Sequence, residues 1–318
     1  MSGPTGGIDL GGTKIQAAIV GPRGKVLGEA RHPTPRSGGP RAIVEAMAGA
    51  LRESAVQASL EPAGLAGVGV GSPGDVNGES GVVIGARNLA GWEGSFPLAE
   101  ALGELLGTRV AVGNDVQVAT NAEFKLGAGK PYKSVLGVFW GTGVGGGLVL
   151  GGKPWLGRNA AGEIGHIVVK LGGARCTCGR YGCLEAYAGR ASMEARAQRY
   201  VKKGQDTVLF DIMKKRGRER LTSGVWERAL RREDKVATQI VDHAVEALGA
   251  GIASAQNLLD VEAVIIGGGL GIRLGEPYAE RIAAAMLPHL FVDDRPPPVK
   301  VAALGDLGGA IGASLLIK

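Results

Sequence analysis

The chain has 318 residues, enough for two domains that each bury a core of their own. Its 56 glycines fall in short groups without a fixed period, which excludes a collagen-like or low-complexity chain and indicates tight turns and close backbone approaches. The net charge is +6, and no apolar run approaches the ~20 residues that a membrane-crossing helix needs, so a soluble cytoplasmic protein is expected.

Ile8 to Val20 reads as strand, glycine turn, strand, with Asp9 at the end of the first strand and Gly11, Gly12, Thr13 and Lys14 in the turn. Residues 41–60 carry Ile43, Val44, Met47 and Leu51 at helical spacing. Ala66 to Val70 reads as a buried strand ending at Gly71-Ser72-Pro73-Gly74, and Val110 to Val112 as another, ending at Asn114-Asp115. The opening plan then returns: Val135 to Trp140, a turn from Gly141 through Thr142 and Gly143 to Gly147, and Leu148 to Leu150. Each time a threonine sits in a glycine-rich turn between two apolar β segments, as in a duplicated unit.

Gly141, Gly143 and Gly146 also satisfy G-x-G-x-x-G, but a dinucleotide fingerprint must lead from a strand into a helix. Here a second strand and Gly151-Gly152 follow, which excludes that reading. No Walker-type G-x-x-x-x-G-K-[ST] run is present. Glycine-lined turns still bring backbone N–H groups close to anionic oxygens, and a hydroxyl at the tip adds a donor, so two such turns across a cleft suit a polyphosphate chain.

Residues 199–235 hold 12 Lys/Arg against 6 Asp/Glu, which is the whole positive excess. They are interleaved with Val208, Leu209, Phe210, Ile212 and Met213, so the segment reads as the solvated face of an amphipathic helix rather than a nucleic-acid surface. Residues 234–259 form a long helix with Val236, Ile240, Val241, Val245, Leu248 and Ile252 on one face. Ala263 to Ile266 is a strand leading into Gly267, Gly268 and Gly269, and Gly308 to Ile317 a closing helix. The fold class is α/β, with glycine or Asn-Asp at strand carboxyl ends, where ligands of open α/β sheets gather.

All three cysteines, Cys176, Cys178 and Cys183, lie together, with His166 ten residues upstream of the first. Three thiolates and an imidazole make the closed tetrahedral set of a structural zinc, and three cysteines cannot all pair as disulfides. The ligands interleave with Glu163 and Glu185, which the metal would hold in place.

The motifs Asp9-x-Gly-Gly-Thr-Lys14, Asn114-Asp115, Gly141-Thr-Gly-x-Gly-Gly-Gly147, Glu163-x-Gly-His166, Cys176-x-Cys-Gly-x-x-Gly-Cys183-x-Glu185 and Gly267-Gly-Gly269 together resemble the ROK family of sugar kinases and repressors, in order and over nearly the whole chain. The resemblance implies the actin/hexokinase-like (ribonuclease H-like) fold, two α/β domains around a central cleft. It divides the chain into an N-terminal domain, residues 1–115 completed by a helix at about 306–318, and a larger one at 116–305 that carries the zinc site and the basic segment. It also implies transfer of the γ-phosphoryl group of ATP, with Mg²⁺, to a hexose, foremost glucose to glucose 6-phosphate.

Carried over residue by residue, the resemblance makes Asp115 the general base, although Asp115 also stands where a helix N-cap would. It gives the sugar to Asn88, Asn114, Asp115, Glu163, His166 and Glu185. It gives the nucleotide to Asp9, Gly11, Gly12, Thr13, Lys14, Gly141, Thr142, Gly143, Gly267, Gly268 and Gly269, with Asp9 facing the Mg²⁺–phosphate group. His166 would use one ring nitrogen for zinc and offer the other to the sugar. Ala160 stands where the family commonly has glycine.

The family's repressors carry a DNA-binding domain ahead of the sugar-binding part, and Asp9 lies too near the start of this sequence for one. A catalytically dead sugar sensor is disfavoured by the presence of Asp9, Thr13 and Asp115. Kinases for N-acetylglucosamine, N-acetylmannosamine, mannose or fructose are the alternative. A homodimer or homotetramer is expected, with no nucleic-acid or membrane partner.

Overall fold

The structure, a computed structural model, describes residues 3–86 and 88–317. The first half builds strands β1 (Thr5–Leu10), β2 (Lys14–Val20) and β3 (Val26–Pro33), helix α1 (Gly39–Gln57), strand β4 (Val68–Ser72), and a small meander of β5 (Asp75–Asn77), β6 (Val82–Ile84) and β7 (Ser95–Phe96). Helix α2 (Leu98–Leu106), strand β8 (Val110–Asn114) and helix α3 (Asp115–Leu126) complete it. The sheet order is β3-β2-β1-β4-β8; the first three strands are antiparallel, while β4 and β8 run parallel to β1. Ile8, Leu10, Ile15, Ile43, Met47, Leu51 and Val70 fill the core between this sheet and α1.

The second half repeats the hairpin as β9 (Val135–Trp140) and β10 (Val144–Leu150), with a short β11 (Lys153–Pro154) at the edge. Helices α4 (Glu185–Ala188), α5 (Arg190–Lys202), α6 (Leu209–Lys215), α7 (Ser223–Arg231) and the 25-residue α8 (Lys235–Leu259) follow. Then come β12 (Ala263–Gly267), α9 (Gly268–Leu274), α10 (Glu276–Met286), β13 (Val299–Val301) and α11 (Gly308–Ser314). The second sheet is ordered β11-β10-β9-β12-β13, with β12 parallel to both β9 and β13. Trp140, Trp226, Ile240, Leu248, Ile252 and Ile266 are among the residues of its core.

Two sheets with the same hairpin opening and parallel strands added behind it make the two-domain α/β architecture expected from the sequence. Residues 199–235 are not one amphipathic helix. They form the end of α5, then α6 and α7, because Gly204 and Gly217 take positive φ values and end α5 and α6. Asp234 caps α8 through Ala237 N and also accepts from Val208 N, pinning the segment to the long helix. Among the described residues, no helix is long and apolar enough to cross a membrane.

Helices α3 and α11 join the halves. Helix α11 lies on β1 and β4 and against α3, which in turn packs on β10. The contact is backbone to backbone: a Cβ on Gly7 would stand 1.9 Å from the Ala310 carbonyl oxygen, and one on Gly312 2.3 Å from that of Val118. Only glycine fits at either place.

The buried carboxyl group of Glu123, on α3, accepts from the backbone N–H groups of Ala128, Ala303 and Leu304 at 2.8–2.9 Å. It thereby fixes the segment that leads from β13 into α11. Glu123→Ala leaves these donors without their acceptor and is predicted to cost at least about 2 kcal/mol of stability, read as a lower urea midpoint at unchanged m-value.

Candidate active site

The first glycine turn closes with Gly11 N donating to Lys14 O at 3.0 Å. Thr34, on the chain leaving β3, braces it: its hydroxyl donates to Gly11 O at 2.6 Å and its N–H to Thr13 O. A Cβ on Gly12 would lie 2.8 Å from the carbonyl oxygen of Asn88, so the loop bearing that asparagine runs directly over the turn. Lys14 reaches Asp306, with Nζ 3.8 Å from Oδ1.

Parallel pairing brings the ends of β1, β4 and β8 together, aligning Asp9 with Gly71 and Ser72 with Asn114. Asn114, not Asp115, is the N-cap of α3. Its Oδ1 accepts from Val116 N and Gln117 N at 3.1 and 3.2 Å, which leaves its amide nitrogen as a donor. Asp115 is the first helical residue and also accepts from Val116 N, at 2.9 Å.

The Asp115 carboxyl is pushed up to about 7, first by burial and then by the negative charge of Asp9, with Glu163 adding to it and the Val116 N–H opposing. Burial likewise pushes Asp9 up to about 6, with Lys14 pulling it down and Asp306 raising it. Burial and the negative charges of Asp9 and Glu163 thus favour the protonated form of Asp115, and a cation nearby would favour the ionised one.

The second turn is tied to α5. Gly141 N donates to Gly143 O at 2.9 Å, Arg190 N to Gly141 O, and Ala191 N to Thr142 O. The Arg190 guanidinium donates to the Thr142 hydroxyl at 2.9 Å. Glu185 touches the same turn: its Oε2 accepts from Val144 N at 3.0 Å, and its Oε1 from the Thr177 hydroxyl at 2.8 Å. The third glycine group adjoins the turn too, since Gly268 has φ 77° and a Cβ there would meet the Trp140 carbonyl oxygen at 2.6 Å. No hydrogen bond among the described residues joins the first and second turns directly.

His166, Cys176, Cys178 and Cys183 converge as the sequence spacing predicts, with one ligand atom from each within 4.8 Å of all the others. Short bridges between Val168 and Cys183 and between Arg175 and Tyr181 fold the loop back on itself. Cys176 Sγ is 3.8 Å from His166 Nδ1, and the Cys178 and Cys183 sulfurs are 3.7 Å apart. A tetrahedral zinc with bonds of about 2.0–2.3 Å sets its ligands roughly 3.5–3.8 Å apart, so these edges fit the ion. Burial raises the Cys176 and Cys183 thiols, the latter to about 12, while the Arg180 backbone N–H leads in lowering Cys178 to about 7. The other ring nitrogen of His166, Nε2, faces Glu163 at 3.9 Å.

Sequence reasoning missed Arg190, Ser223, Thr34 and Asp306. Each acts through a partner far along the chain, and none lies within a glycine or cysteine motif.

A family model described as ROK family matches residues 5–318. The chain is 35% identical over 317 residues to a glucokinase of Halalkalibacterium halodurans, covering 98% of this chain and 94% of that one. It is 30% identical over 312 residues to an N-acetylmannosamine kinase of Escherichia fergusonii, covering 98% and 97%. Among solved structures it resembles a ROK family glucokinase from Streptomyces griseus in complex with glucose and AMPPNP, with a TM-score of 0.85, 31% identity and 99% of each chain covered.

The metal cluster generates its own test. Metal analysis of the purified protein is predicted to give one zinc per chain. Cys178→Ser is predicted to lower both zinc content and the melting temperature, because ligand binding to the folded form alone is folding free energy. Folded protein without zinc would refute the assignment.

Proposed function

The chain belongs to the ROK family, and we propose that it is an ATP-dependent hexose kinase whose preferred acceptor is glucose. One observation carries the reading. Asp115 opens α3 at the end of β8, and burial, then the charges of Asp9 and Glu163, which this reading gives to the nucleotide and the sugar, raise its pKa. A base is needed where phosphoryl donor and acceptor meet.

In this reading the hexose lies among Asn88, Asn114, Glu163, His166 and Glu185, whose amides, imidazole and carboxylates match hydroxyls that both donate and accept. Asp115 accepts the proton of the attacking hydroxyl as its oxygen bonds to the γ-phosphorus and the bond to the leaving ADP oxygen breaks. The proton is lost late in such a loose transition state, so a carboxylate suffices. Thr13 and Thr142 donate to phosphate oxygens, together with the N–H groups of the Gly11–Gly12 and Gly141–Gly143 turns. Gly268 and Gly269 let the backbone lie against the nucleotide.

Asp9, recessed and made more basic by burial and by Asp306, fits the residue that faces a divalent cation. When bound, Mg²⁺ supplies charge neutralisation at the phosphates. The Cys₃His cluster has no open ligand position, so the zinc we assign to it is structural and orients His166 and Glu185.

A panel of glucose, mannose, fructose, N-acetylglucosamine and N-acetylmannosamine with ATP and Mg²⁺ tests the activity. Glucose is expected to give the highest kcat/KM; phosphorylation of none of them would overturn the reading, and preference for an acetylated sugar would reassign the substrate. Asp115→Ala is predicted to lower kcat on the order of 100- to 10,000-fold while hexose binding, read by calorimetry, weakens far less. Only the ionised form accepts a proton, and the folded value is about 7. The kcat/KM for hexose is therefore predicted to fall about tenfold per pH unit below that point.

A further inference from the structure

Arg190 opens α5 and spans two elements. Its guanidinium donates to the Thr142 hydroxyl at 2.9 Å and to the Ser223 hydroxyl, at the start of α7, at 2.8 Å. One turn further along α5, the buried Glu194 accepts from Arg220 Nε at 3.0 and 3.1 Å and from Leu221 N at 3.0 Å. Arg190 and Glu194 thus fix both the second glycine turn and the entry to α7. Ser223 is itself buried and borders the third glycine group: a Cβ on Gly269 would lie 3.5 Å from its Oγ.

The chemistry of the pair of hydroxyls follows. A guanidinium has donors only, so each hydroxyl oxygen it contacts acts as acceptor and keeps its own proton for another partner. The two terminal nitrogens of the planar fork hold both oxygens in a fixed geometry, which the rotatable donors of an ammonium do not impose. Two directed O–H donors beside a fixed cation suit phosphate oxygens.

We propose that Arg190 is a positioning residue for the phosphoryl donor. It turns the Thr142 and Ser223 hydroxyls into donors toward the nucleotide phosphates, and Ser223 contacts the nucleotide. The basic segment that no motif explained thereby acquires a task, since it delivers Ser223 to the cleft. The inference rests on the kinase reading above.

Steady-state kinetics on the full chain, varying ATP and glucose in turn, test it together with calorimetric binding of AMPPNP. Arg190→Met is expected to raise the KM for ATP on the order of 10-fold or more and that for glucose by less than about twofold. Arg190→Lys keeps the charge but not the fork and should fall between. Ser223→Ala should raise the KM for ATP a few-fold alone and add nothing in the Arg190→Met background, as expected for residues acting as one unit.

An unchanged KM for ATP, or equal shifts in both constants, would overturn the proposal. Should Arg190→Met fail to fold, Ser223→Ala decides alone, because it leaves the guanidinium in place. If the wild-type chain bound AMPPNP but phosphorylated no hexose, the kinase reading would fall, and the same variants would still judge the Arg190 assignment through AMPPNP affinity.

Discussion

The direct contact of two helices with glycine backbone is the constraint on which the rest of this structure depends. Helix α11 sits against Gly7 and Gly69 of the first sheet, and α3 sits against Gly137 and Gly147 of the second, where a Cβ would meet the Thr120 side chain at 2.3 and 2.4 Å. Gly312 lets the two helices touch. Side chains at these places would force both helices outward, and α3 begins with Asp115. The position of Asp115 relative to Asp9 is therefore set by close packing in the joint between the sheets, and a core this dense tolerates little adjustment.

That position has an electrostatic cost. Asp9 and Asp115 both have folded pKa values, about 6 and about 7, above the ordinary 3.8. The folded state holds these protons more tightly than the unfolded chain does. The associated stability is thus fully present below the ordinary value and is lost as pH rises through about 6 to 7. Near neutrality these two carboxyl groups hold negative charge in a largely buried place, a cost that packing elsewhere offsets.

Features written into a few adjacent residues were legible in the sequence. Apolar runs flanking Gly11–Gly12 and Gly141–Gly143 give both hairpins, and the cysteine spacing gives a cluster that forms as expected. Residues 199–235 are helical, as the apolar pattern around Val208 to Met213 suggests, but Gly204 and Gly217, with positive φ values, divide them among α5, α6 and α7. The cap of α3 was ambiguous because Asn and Asp are both good N-caps; geometry gives it to Asn114. Arg190 lies 33 residues from Ser223, and Glu123 lies 180 from Ala303, so no local pattern could reveal either contact.

Glu185 shows how the metal cluster and the glycine turn become one unit. Thr177, between two of the cysteines, donates to one carboxyl oxygen, and Val144, at the start of β10 beside the second turn, donates to the other. Cys176 Sγ also lies 3.7 Å from the oxygen that Thr177 holds, so the carboxyl is oriented from both sides. A carboxylate held in this way presents acceptors only, whereas an imidazole that gives one nitrogen to a metal presents an N–H donor. Fixing the cysteine loop therefore fixes an acceptor, and through Val144 it also fixes the turn. Loosening the cysteine loop would therefore disturb Glu185 and the second turn together.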